Sequence, residues 1–152
     1  MANADSVAQN TAVSFGSYAI ASATSVPLSA TGNAVIAMPF FNGGLTVGAT
    51  AGASGSVIIR RVTVQNATGN VAAANVTIYT SNDGNTSNAV CAATILSAMT
   101  GAGKYQDLTV ASPYSVNTAI PGTTTQALYV GVNTASANGT VDIRVYGDTV
   151  AF

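Results

Sequence analysis

Between residues 140 and 147 every second side chain is apolar. Val141, Ile143 and Val145 point one way, and Asp142, Arg144 and Tyr146 point the other. A period of two fits only an extended strand with one face in a core. The pattern recurs over 126–133, where Leu128, Val130 and Val132 oppose Tyr129 and Gly131. It recurs again where Ala74, Val76 and Ile78 alternate with Asn75, Thr77 and Tyr79. Strands buried on one side only are characteristic of antiparallel sheets. The stretch 56–66 is longer. Ile58, Val62 and Val64 form one face, with Arg60 among them, and Val57, Ile59, Arg61 and Thr63 form the other. Both faces are largely apolar, which predicts a central strand.

Further strands are expected over 12–20, with a bulge near Gly16, and over 34–40, 89–96 and 105–110. Asn82-Asp83-Gly84-Asn85 and Asn138-Gly139 supply residues that tolerate positive φ at turns, and 67–70, 100–103 and 121–123 read as loops. No segment has sustained helical spacing, although 94–99 is compatible with one helical turn. The expected fold is all-β, an antiparallel β-sandwich of jelly-roll type with about eight strands. One domain is expected over 13–152, with residues 1–12 either a frayed terminus or an extended N-terminal arm that orders on a neighbour.

Charge narrows the function. Four Lys and Arg residues face five Asp residues in 152, and histidine and tryptophan are absent. The chain is 6% charged, where a soluble domain has about 25%. With a net charge of −1 there is little repulsion to keep copies apart, so assembly is the expected state. Four basic residues cannot make a multi-phosphate footprint, which excludes nucleic acid. Residues 34–41, the longest apolar run, are too short to span a bilayer. Met1-Ala2-Asn3-Ala4-Asp5 has neither the basic nor the apolar region of a signal peptide, so synthesis in a cytoplasm without an export tag is expected.

The usual chemistries find few residues. Without histidine there is no Ser-His-Asp system. A Ser-Lys pair would have to use Lys104, which follows Gly103 at a loop edge and reads as a solvated lysine. Asp142 and Asp148 are close in sequence, but Arg144 lies two residues from Asp142 on the same strand face, and a surface ion pair or a cross-strand partner accounts for both. Asp83 with Asn82, Asn85 and Asn88 is the one candidate calcium cluster, and a hairpin turn explains it. Cys91, the single cysteine, lies among Ala89, Val90, Ala92 and Ala93 and reads as a buried inert thiol. The chain is therefore expected not to be an enzyme and to need no cofactor.

Contact residues remain. Tyr79, Tyr129 and Tyr146 each fall on an outward strand face, as oligomer contacts or, if their strands are neighbours, as a platform for stacking sugar rings. Arg60 either pairs with an Asp inside the sandwich or marks an intersubunit face. Phe40-Phe41, beside Asn42-Gly43-Gly44, and Phe152 complete the candidate interface.

The string Ile58-Ile59-Arg60-Arg61-Val62-Thr63-Val64-Gln65-Asn66, followed by Val76-Thr77-Ile78-Tyr79-Thr80 and the Asn/Gly turn, resembles capsid decoration (cement) proteins of tailed double-stranded DNA phages. So do Lys104-Tyr105-Gln106-Asp107-Leu108 and the ending from Leu128 to Asp148. The resemblance covers 56 to the C-terminus and lies in texture and order, not in a diagnostic motif. It implies a virion protein on the capsid exterior. Such a protein is a homo-oligomer, a trimer before a dimer, that bridges major capsid proteins and stabilises the shell. A phage fibre, spike or surface module binding host glycans is the alternative. No catalytic residue carries over.

Overall fold

The computed structural model describes residues 19–39, 55–111, 114–117, 127–137 and 139–151. These form nine strands and a single 3-10 turn at Thr86–Asn88. The strands are β1 (Ala19–Pro27), β2 (Gly32–Pro39), β3 (Gly55–Gln65), β4 (Asn75–Tyr79), β5 (Ala89–Ile95), β6 (Tyr105–Leu108), β7 (Tyr114–Asn117), β8 (Ala127–Thr134) and β9 (Thr140–Ala151). The protein is an all-β antiparallel sandwich. One sheet has the order β1-β9-β3-β6, with β7 also on β3, and the other β2-β8-β4-β5.

The long strand anticipated at 56–66 is β3, and it is central: β9 runs along one side of it from Gly55 to Gln65. Its other side is shared, with residues 56–59 pairing β7 and 62–65 pairing β6. The core between the sheets takes the alternating residues of both. Val141, Ile143 and Val145 of β9 meet Leu128, Val130 and Val132 of β8, Val76 and Ile78 of β4, and Val62 and Val64 of β3. Loops are tied to the same frame. Thr68 donates its backbone N–H to the Thr140 carbonyl (3.0 Å), and the Thr140 N–H donates to the Thr68 hydroxyl (2.9 Å). Gly84 and Gly103 have φ of 66° and 76°, as the turn residues at 82–85 and 100–103 require.

Every outermost strand is short or irregular. Register shifts interrupt β1 twice, β2 once and β5 twice, while β6 and β7 have four residues each.

Several expectations need correction. The first described strand, β1, extends to Pro27, well beyond the 12–20 segment, whose residues before 19 lie outside the described set along with the Gly16 bulge and the 1–12 arm. The missed part, Ala21 to Pro27, has no clean alternation because register shifts fall between Ala19 and Ala21 and between Ala23 and Val26. The suggested helical turn at 94–99 is instead the end of β5 and a reverse turn, in which Met99 N–H donates to the Leu96 carbonyl (2.8 Å).

Candidate functional site: two unlike sheet faces

The face assignment of Arg60 is the main correction. Ile59 pairs Gly147 and Arg61 pairs Tyr146, so β3 spends two steps where β9 spends one. This bulge at Arg60 reverses the alternation. Ile59, not Ile58, joins Val62 and Val64 in the core, with no exposure. Arg60 is turned out to solvent and ion-paired to Asp148. It is therefore not inside the sandwich.

Beyond the bulge, the outer face of the β1-β9-β3-β6 sheet is a grid of polar rows. Ser22, Arg144, Thr63 and Asp107 form one row across four strands, and Asp142, Gln65 and Tyr105 form the next. Arg61 lies over the ring of Tyr146, 4.3 Å from its centroid. This cation–π contact joins cross-strand neighbours. The Thr63 hydroxyl donates to the Asp107 carboxylate. Six of the nine charged residues, Arg60, Arg61, Arg144, Asp107, Asp142 and Asp148, belong to the strands of this sheet.

Asp142 is more than a partner for Arg144. One carboxylate oxygen accepts the backbone N–H of Ser25 (2.9 Å) and the other accepts the side-chain amide of Asn66 (2.8 Å). Both donors are held at φ 54°, and they are the two positive-φ residues other than glycine among the described residues. Asp142 thus clamps the β1 bulge and the exit of β3 in a conformation that side chains seldom adopt. Those hydrogen bonds, Asn66 first, hold its carboxyl below the ordinary value of 3.8, with a smaller contribution from Arg144. Of the two expected readings, an ion pair with Arg144 or a partner across the strands, the second organises this site.

The other sheet is different in kind. None of β2, β4, β5 and β8 contains a charged residue. On its outer face Ala37 of β2 pairs Tyr129, and Tyr129 pairs Tyr79. Gly131 faces Thr77, and the Asn133 amide donates to Asn75 Oδ1 (3.1 Å) and to the Thr77 hydroxyl (2.6 Å). This face is built from Ala, Gly, Asn, Thr and Tyr held by neutral hydrogen bonds; Ala37 and Asn133 are exposed and Tyr129 half-buried, while Thr77, Tyr79 and Gly131 are buried.

The three tyrosines do not form one platform. Tyr79 and Tyr129 are cross-strand neighbours on this sheet, whereas Tyr146 lies on the opposite one. Tyr79 is also only 3% exposed, while Tyr129 and Tyr146 are half-buried. A ring directly opposite another on a non-core face is partly screened by it. Sequence alternation gives the face of a side chain but not what its cross-strand neighbour hides. Phe40, Phe41 and Phe152 lie outside the described residues. The largest exposed apolar side chains among those described are Tyr105 (70%) and Ile95 (57%). The sequence reading did not single them out, although Tyr105 stands beside Lys104 in the quoted motif.

Other candidates resolve into structure. The Asp83 carboxylate accepts the Asn85 N–H (3.0 Å) and the Asn88 amide (3.2 Å), closing the β4–β5 connection on itself. Lys104 is exposed. Among the described residues no three Asp, Glu, His or Cys side chains gather as a metal group, and no helix is long and apolar enough to cross a membrane. Cys91 is buried in the core, and burial pushes its thiol up to about 12. Its thiolate is therefore scarce at neutral pH. A disulfide-exchange reagent at pH 8 is expected to label Cys91 only as fast as the protein unfolds, and rapid labelling of the native protein would contradict this placement.

The chain matches no family model, no curated protein and no solved structure. The fold and its faces define it as an all-β sandwich with one charged and one uncharged outer face.

Proposed function

We propose that this protein is a structural subunit of a phage virion that binds the outside of the capsid and stabilises it by bridging major capsid proteins. One observation carries the reading: an entire four-stranded sheet, β2-β8-β4-β5, has no charged residue. Broad contact with another protein costs little desolvation when no charge is buried. Many modest contacts repeated around a symmetric shell then add through multivalency. The strand order agrees with this use. β6 and β7 both pair the same side of β3 and count as one interrupted strand. Counted in that way, we read the eight strands as a jelly roll, an architecture found in viral capsid and lectin domains. That is an analogy of fold alone, and the residue texture from Ile58 to Asp148 is what favours the capsid side of it. The glycan-binding alternative is weaker, because its three tyrosines are divided between two sheets.

The test uses heads assembled without this protein. Added protein is expected to co-sediment with them, to raise their melting temperature, and to do so with little dependence on salt. Ala37→Lys and Asn133→Lys, which place charges at exposed positions of the uncharged face, are expected to weaken head binding at least about tenfold. Heads that neither bind the protein nor change in stability would overturn the proposal, and hits on a glycan array would turn it toward the alternative.

A further inference from the structure

The outer face of the charged sheet is its own complement. One row reads Arg144, Thr63, Asp107 across β9, β3 and β6, and the adjacent row on the same face reads Asp142, Gln65, Tyr105 across the same strands. Position by position, a guanidinium stands beside a carboxylate, a hydroxyl beside an amide, and a carboxylate beside a phenol. A two-fold axis in the contact plane, perpendicular to the strands and midway between the rows, exchanges them. Arg144 of one copy then meets Asp142 of the other and Asp107 meets Tyr105, each contact occurring twice, while Gln65 lies over the Thr63 position, whose side chain is buried and holds Asp107. Such self-matching is what a two-fold interface between identical subunits requires.

The geometry points to a homodimer formed by face-to-face packing of two β1-β9-β3-β6 sheets. The groups it needs are on the surface. Arg144 and Asp107 are exposed, Tyr105 is 70% exposed, and Gln65 and Asp142 are partly so. Among the described residues Arg144 has no ion pair, the one such pair being Arg60–Asp148. The oxygens of Asp142 each accept one bond within the chain, and an ionised carboxylate has about four acceptor sites, so both retain capacity for a guanidinium. The arrangement leaves the exposed Ala37 and Asn133 of the uncharged sheet on the side of each copy away from the contact. It is two-fold, in contrast to the trimer that the sequence resemblance favours. It does not depend on the capsid reading, which concerns the opposite face.

Sedimentation equilibrium of the full chain tests it. A species of twice the 15.0 kDa chain mass is expected at low salt, dissociating as salt screens the exposed charges. Arg144→Asp, which opposes Asp142 of the other copy with a like charge, is expected to raise the dissociation constant at least about tenfold. Tyr105→Asp should do the same by facing Asp107. The double variant Tyr105→Asp/Asp107→Lys, which makes that contact attractive again, should restore the dimer. Thermal melts establish that each variant is folded, and should Arg144→Asp not fold, the pair at 105 and 107 decides alone. A monomeric or trimeric wild type, a dimer indifferent to the single variants, or a failure of the double variant to recover would each overturn the inference. Head binding is measured separately, and its loss or retention bears only on the uncharged face.

Discussion

Gly147→Ala is expected to destabilise the protein by about 3 kcal/mol or more, at the upper end of the cost of forcing extra volume into a packed site. For a chain of this size that is a fall in Tm of about 6–12 °C. The reason is the bulge at Arg60. Where β3 takes its extra residue, β9 comes so close that a Cβ on Gly147 would lie 2.1 Å from the Ile58 carbonyl oxygen and 3.0 Å from both the Ile58 carbonyl carbon and the Ile20 side-chain tip. A methyl cannot be accommodated by turning a flexible side chain aside, because the obstacle is backbone in the central strand pair. Relief requires β3 and β9 to separate or to lose the bulge. Losing the bulge would send Ile59 outward and Arg60 into the core. Denaturant unfolding of the variant measures the cost, and a change below about 1 kcal/mol would mean that the two strands do not approach this closely.

Asp142→Ala is expected to cost about 2 kcal/mol. The carboxylate makes two charge-assisted hydrogen bonds, each of which contributes about 1.5–3 kcal/mol when buried, reduced here because the group is partly solvated. The substitution also removes what holds Ser25 and Asn66 at positive φ. The effect has a pH signature. The folded carboxyl titrates below its ordinary value of 3.8, so the unfolded chain takes up the proton first as pH falls. The stabilisation is complete above about pH 5, begins to decline toward the ordinary value and disappears as pH drops through the lower folded value. Asp142→Asn should therefore flatten the acid side of the stability curve, leaving the share due to Asp83, whose carboxyl is also lowered, chiefly by the Asn85 N–H. An unchanged acid limb would show that the clamp does not contribute.

Much of the fold was legible because alternation survives wherever a strand is regular. The core residues of β8 and β9 were read directly from the sequence, and those of β4 nearly so. Reading failed where the backbone departs from two residues per repeat. In β3 the extra step at Arg60 moved Ile59 inward, and no property of the letters Ile-Ile-Arg-Arg announces it. The informative residue was on the other strand: Gly147, an isolated glycine late in an otherwise regular pattern, is the kind of signal that marks a close backbone approach. In β1 the two irregularities removed the pattern altogether. The site was less legible than the fold. That Arg144, Thr63 and Asp107 share a row, and that all of the β2-β8-β4-β5 sheet is uncharged, depends on which strands are neighbours. Strands 140–151 and 55–65 are adjacent in space and far apart in sequence, and local pattern does not encode that pairing.

The irregular rims of both sheets have a consequence for a chain with one lysine. Proteins commonly keep exposed backbone from recruiting a stranger's strand by placing lysines along it, and this sequence has only Lys104, just before β6, for that purpose. Kinks in β1, β2 and β5 and the four-residue lengths of β6 and β7 break up any straight template instead. Deleting one residue at such a kink, so that a rim ran true, would be expected to present a straight strand template and turn the protein into a seed for fibrils.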